Sequence, residues 1–204
     1  MRAINTSIPT SGALPDGYQQ ALYWRVTEKP IRSIGLQLLG VLFFVVFGVI
    51  FFSLAIGLGK LPSQVKFGLG EIGLVLISIL LTFVFHELTH GVVMRMLGAR
   101  PRYGILWKKL MLYATSPGFA YRRNSYVAVA LAPFVLISAL VVLGMGLTQG
   151  TFWVAVLGLC GAINACGAIG DMWITGIVLR YAPTAYVMDE RDGIRVFLPK
   201  SRID

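Results

Sequence analysis

The chain has 204 residues, is 56% hydrophobic and only 13% charged, and has a mean hydropathy of +0.75, which excludes an ordinary water-soluble domain. Its formal net charge of +9 would suggest nucleic acid on a soluble chain. Here the Lys and Arg residues fall almost wholly between long apolar runs, so the expected partner is a lipid bilayer and not nucleic acid.

The first thirty-two residues are mixed and polar (SIPTSGALPDGYQQ) and carry no short apolar region followed by a small-residue cleavage site. The amino terminus is therefore expected to stay on the mature protein. Four stretches then reach the roughly 20 apolar residues that a membrane-spanning helix needs: Ser33 to Gly57, Gly70 to Leu97, Ser125 to Leu147 and Thr151 to Leu179. The expected fold is an all-α membrane protein, residues 1–204 forming one integral membrane domain with spans at about 33–57, 70–97, 125–147 and 151–179.

Orientation follows from the Lys and Arg residues of the short loops. The amino-terminal segment has four (Arg2, Arg25, Lys29, Arg32), the second connection seven from Arg95 to Arg123, and the tail five (Arg180, Arg191, Arg195, Lys200, Arg202). The first connection carries only Lys60 and Lys66, and the third, LTQG with Thr151, carries none. Both termini are expected in the cytoplasm, in a multi-pass bacterial cell-membrane protein.

Two segments on that side read as β-hairpins. Tyr103 to Thr115 (YGILWKKLMLYAT) is too short to span and is expected to lie at or in the membrane interface or on the surface. In the tail, AYVMD and IRVFLP flank ERDG, whose Asp192-Gly193 step signals a turn. Cys160 and Cys166, six residues apart in one apolar run, point in different directions on a helix and are expected to be buried free thiols. No sequence repeat is evident, and the oligomeric state is not legible.

The second span contains FVFHELTHGVV, and its His86 and His90 are the only two histidines of the chain. Four residues apart on a helix, two imidazoles lie one above the other and can share one metal ion, with Glu87 offset to reach a bound water. A catalytic zinc site usually takes three protein ligands, so a third is expected elsewhere. Asp171, in GAINACGAIGDMWITG, is the other carboxylate well inside an apolar span, whereas Glu71 lies at the far end of the second span. In antiparallel-free register, His86 sits about 17 Å and Asp171 about 12 Å from the cytoplasmic ends of two spans running the same way. Ser78, Thr82, His86 and His90 form one polar stripe. Gly161, Asn164, Ala168, Asp171 and Thr175 form another, and such stripes face a bundle interior or a wet cavity. Asn164 is expected either to hold a substrate carbonyl or developing oxyanion, or to make an interhelical hydrogen bond.

These residues resemble the site-2 protease type of intramembrane zinc metalloprotease, in which HExxH lies on one membrane helix and an Asp on a later one completes the site. The chain also resembles a small bacterial family of zincin membrane proteins. That likeness covers LPDGY, HELTHG, the basic connection, a span with Pro133 and an Asn separated by six residues from an Asp. The resemblance implies Zn2+ held by His86, His90 and Asp171, Glu87 as general base and Asn164 as a polar helper. The substrate it implies is a membrane protein or peptide. The chain departs from the site-2 pattern in having no Pro between Asn164 and Asp171, in Met172 directly after Asp171, and in lacking a PDZ-like insertion. A second functional class stands beside the protease: a metal-binding membrane protein without proteolytic activity, as a divalent-metal carrier or a regulatory pseudoprotease.

Overall fold

A computed structural model of the chain describes residues 12–60, 68–107, 111–148 and 151–200. Arg2, Lys66, Lys108, Lys109 and Arg202, counted above for orientation, lie outside the described residues, as do the first residues of the amino-terminal segment, most of the first connection and the end of LTQG. In chain order the elements are β1 (Tyr18–Arg25), a 3-10 turn (Val26–Glu28), α1 (Pro30–Gly57), α2 (Leu69–Met96), β2 (Arg102–Leu106), β3 (Met111–Thr115), β4 (Ala120–Arg122), α3 (Arg123–Leu147), α4 (Thr151–Gly167), α5 (Ile169–Val178), β5 (Tyr186–Glu190) and β6 (Gly193–Pro199).

Local chemistry sets the helix ends. Pro30 occupies the first position of α1, where its missing N–H would have had no helical partner. Glu71 accepts a 2.9 Å hydrogen bond from the Gly68 N–H, so it caps the start of α2, far from the histidines. At the other end, Gly98 takes φ +89° and the Ala99 N–H bonds the Met94 carbonyl at 3.0 Å, closing α2 in a Schellman motif that only a residue tolerant of left-handed backbone allows.

Among the described residues, four helical segments are long and apolar enough to cross a membrane: Pro30–Gly57, Leu69–Met96, Arg123–Leu147 and Phe152–Val178. The fourth is half buried inside the protein, against 11% to 28% for the others, so it is the central helix and the other three pack around it. The fourth span, expected over about 151–179, runs over Phe152–Val178 and has an interruption at Ala168 that divides it into α4 and α5. Gly167 and Gly170 flank the break, and glycine weakens helical backbone. The Ala168 N–H still bonds the Asn164 carbonyl and the Met172 N–H the Ala168 carbonyl, both at 3.0 Å, so α5 continues the course of α4. Cys160 is buried, but Cys166 is only half-buried, a correction of the expectation for the second thiol.

Both hairpins are present. β2 pairs antiparallel with β3, placing Tyr103 opposite Ala114. The tail hairpin β5–β6 is not isolated, because it forms the middle of a four-stranded antiparallel sheet in the order β1-β6-β5-β4. The strand β1, in the segment described above only as mixed and polar, was not expected. Its inward pair Leu22 and Trp24 follows a bulge between Gln20 and Leu22, and a bulge disrupts the alternation by which a strand is recognised. Gly193 is required at the β1–β6 contact, since a Cβ there would collide with the Trp24 backbone. The sheet caps one end of the bundle: Trp24, Val187, Ile194 and Val196 share a core with Met94 of α2, Tyr126 and Val129 of α3, and Val178 of α5.

Candidate metal centre

The buried residues of α2 are Thr82, His86, His90, Gly91 and Met94, so the side of the helix that carries the histidines is the side turned toward α3 and α4. Asp171 enters from the first turn of α5. Its Oδ2 lies 3.2 Å from His86 Nε2 and 3.5 Å from His90 Nε2. Both imidazoles are nearly inaccessible, while the Asp171 side chain is 24% exposed, which leaves one open side to the cluster.

The outer ring nitrogens determine which atoms face inward. His90 Nδ1 lies 2.9 Å from the Val129 carbonyl, which can only accept, so Nδ1 carries the proton. Asn164 Nδ2 donates to the Pro133 carbonyl at 3.2 Å, which turns Asn164 Oδ1 toward His86 Nδ1 at 3.0 Å. That nitrogen must then be the protonated one as well. With both Nδ1 atoms engaged outward, both Nε2 atoms are the ones turned toward the Asp171 carboxylate.

With Nε2 deprotonated, as metal ligation requires, the two imidazoles and the carboxylate would present three lone pairs to one cation. One ligand atom from each of His86, His90 and Asp171 can be chosen so that all three lie within 4.8 Å of one another. Zinc bonds of about 2.0–2.1 Å in tetrahedral geometry place neighbouring ligand atoms about 3.3 Å apart, which agrees with the Nε2 to Oδ2 separations of 3.2 and 3.5 Å. The donor set and its spacing therefore fit a zinc ion.

Glu87 is half-buried beside this cluster, and the Ala114 backbone N–H of β3 reaches its carboxylate. The hairpin leaves a cavity of about 260 Å³ against α2, lined by Glu87 and mainly by apolar groups of Val84, Leu88, Ile105, Leu112, Tyr103 and Tyr113. The five residues singled out in the sequence thus occupy one region, with Asn164 placed against His86 through one half of its amide and Pro133 through the other. Sequence reasoning missed the Val129 carbonyl and Ala114, whose contributions come from backbone atoms. A signal existed for the first, because Pro133 deprives the carbonyl four residues before it of its helical donor.

A family model described as "Putative zincin peptidase" matches residues 79–186, from the middle of α2 to the start of β5. The chain belongs to this family. Zincin peptidases use zinc to hydrolyse peptide bonds, so membership indicates a metallopeptidase and names zinc as the ion for which the His86, His90 and Asp171 group is suited. The matched zincin segment includes both histidines, Glu87, Pro133, Asn164 and Asp171. No curated protein and no solved structure matches the chain.

Proposed function

We propose that this zincin is an intramembrane metalloprotease whose four helical segments cross the bilayer with both termini in the cytoplasm. The observation that carries the proposal is the convergence of His86 Nε2, His90 Nε2 and Asp171 Oδ2 beside Glu87 and the β2–β3 hairpin. Membrane insertion is supported by outward-facing apolar side chains such as Leu38, Val49, Leu80 and Leu140, each at least 60% exposed, a surface that lipid covers and water does not. Arg25, Arg122, Arg123, Arg180, Arg191 and Arg195 gather at the end capped by the sheet, as expected of a cytoplasmic face.

Bound by His86, His90 and Asp171, zinc would supply Lewis-acid activation of water and of the scissile carbonyl. Glu87 takes the proton from the attacking water and returns it to the leaving amine. The Ala114 N–H holds the Glu87 carboxylate in place for both transfers. A helical peptide bond is shielded by its own hydrogen bonds, so the substrate segment must be extended when it reaches Glu87. Among the described residues β3 pairs only with β2, and its other edge, apart from the Ala114 N–H that Glu87 takes, offers an added strand a place to pair, with the adjoining cavity taking an apolar side chain. The substrate class is thus a membrane protein or peptide that unwinds locally near the cytoplasmic leaflet.

Elemental analysis of detergent-purified protein tests the metal: about one zinc per chain is expected in the wild type and none in His86→Ala or Asp171→Ala. Glu87→Gln is expected to keep zinc and lose cleavage of single-span membrane peptides. A Glu87→Gln chain with unaltered function would instead mark a metal carrier or a regulatory pseudoprotease.

A further inference from the structure

Pro133 lies fully buried inside α3 and has no N–H, so the carbonyl four residues earlier, that of Val129, has no helical donor. Where a helix passes through lipid, such a freed carbonyl must find a donor on a neighbouring helix. It finds His90 Nδ1–H at 2.9 Å. One turn along, the Pro133 carbonyl accepts from Asn164 Nδ2 at 3.2 Å, and the other half of that amide faces His86 Nδ1 at 3.0 Å. A single turn of α3 therefore meets both imidazoles, one directly and one through Asn164.

We infer that Pro133 is a positioning residue for the metal centre: by withholding an N–H from the Val129 carbonyl it reserves that carbonyl for His90, which fixes the imidazole with Nε2 turned toward Asp171. The inference rests on the proposed zinc site. It assigns to the proline a task separate from shaping the helix. An alanine in its place would bring an N–H that competes for Val129, and the carbonyl would swing back toward the axis of α3. His90 Nδ1 would then share or lose its acceptor, and the ring would be free to rotate away from the metal-binding geometry. Hydrogen-bond partners of metal-bound histidines commonly govern affinity over about 10- to 100-fold.

The test compares wild type, P133A and the double variant A132P/P133A in zinc competition against a chromophoric chelator, together with thermal unfolding and helix content of the metal-free proteins. For P133A, zinc affinity is expected to fall about 10- to 100-fold while the metal-free protein is as stable as wild type or more so, because alanine restores a helical hydrogen bond. The double variant keeps a proline in α3 but frees the Ala128 carbonyl instead, so its affinity is expected to stay low. Unchanged affinity in P133A overturns the inference, as does a loss of affinity that merely tracks a loss of metal-free stability. Restored affinity in A132P/P133A overturns it too, by showing that the bend matters and the carbonyl does not. If wild type binds zinc and P133A binds equally well, only this inference fails; if wild type binds none, the zinc site itself fails and the inference with it.

Discussion

The hydroxyl end of the Tyr103 phenol lies against the backbone of α2 at Gly91, so closely that a Cβ on Gly91 would overlap it. Gly91 directly follows His90, and Tyr103 belongs to β2, so this contact brings the hairpin down onto the segment of α2 that holds the histidines and Glu87.

Gly91→Ala therefore displaces the Tyr103 phenol, by which β2 rests on α2, while leaving the helix intact, since alanine is the better helix former. Zinc content is expected to stay near one per chain, and cleavage to fall by as much as about 100-fold, the scale of a 1 Å misplacement near reacting groups. Paired elemental analysis and cleavage assays check this. Full activity in the variant would mean that the hairpin has no part in presenting the substrate.

Asn164 is 1% exposed and both halves of its amide are engaged. Asn164→Ala removes the acceptor for His86 Nδ1–H in a site with no room for bulk water. Zinc affinity is expected to drop about 10- to 100-fold, measured by chelator competition. An unchanged affinity would show that His86 needs no help in presenting Nε2.

Asp189 of β5 accepts a 2.9 Å hydrogen bond from the Tyr126 hydroxyl, and the Thr115 side chain of β3 lies beside its carboxylate. Burial pushes this carboxyl up to about 7, above the roughly 3.9 of an unfolded chain. The folded state therefore binds the proton more tightly, and the stability this contributes is complete below about pH 4 and lost as pH rises through about 7. At about 1.4 kcal/mol per pH unit the upper bound is about 4 kcal/mol, reduced by the part of Asp189 that remains exposed. Asp189→Asn is expected to flatten this dependence, read as the difference in unfolding temperature between pH 5 and pH 8 in the two proteins.

Lys60 closes the far end of the bundle, its Nζ donating to the carbonyls of Met145, Gly146 and Thr148 at 3.1, 2.6 and 2.8 Å. These include carbonyls of the last turn of α3, where the helix dipole favours a cation. Lys60→Met keeps the stem and removes the donors, and is expected to cost roughly 1–3 kcal/mol with zinc affinity unchanged. Thermal unfolding with and without zinc measures both.

The helices and the candidate ligands were legible because their signals are local. Twenty apolar residues, an imidazole pair four apart and a lone carboxylate in a span each state their requirement within one turn or one run. The depth match between His86 and Asp171 could be drawn from helical rise alone. The tail hairpin was legible from Asp192-Gly193, but its partner β1 was not, because the bulge after Gln20 obscures the alternation and Leu22 and Trp24 become inward-facing only once β6 lies beside them.

By itself, then, the sequence determined which side chains can carry chemistry: His86, Glu87, His90 and Asp171 are identifiable because metal binding depends on residue type and on spacing along a helix. Only the tertiary structure decided how they are held. Asn164 orients His86 through its side chain, but two of the orienting partners are backbone groups, the Val129 carbonyl for His90 and the Ala114 N–H for Glu87. Every residue possesses a carbonyl and nearly every one an N–H, so although Pro133 marks the Val129 carbonyl as lacking a helical donor, nothing in the residue type says what these two groups meet until α3 and β3 are packed against α2.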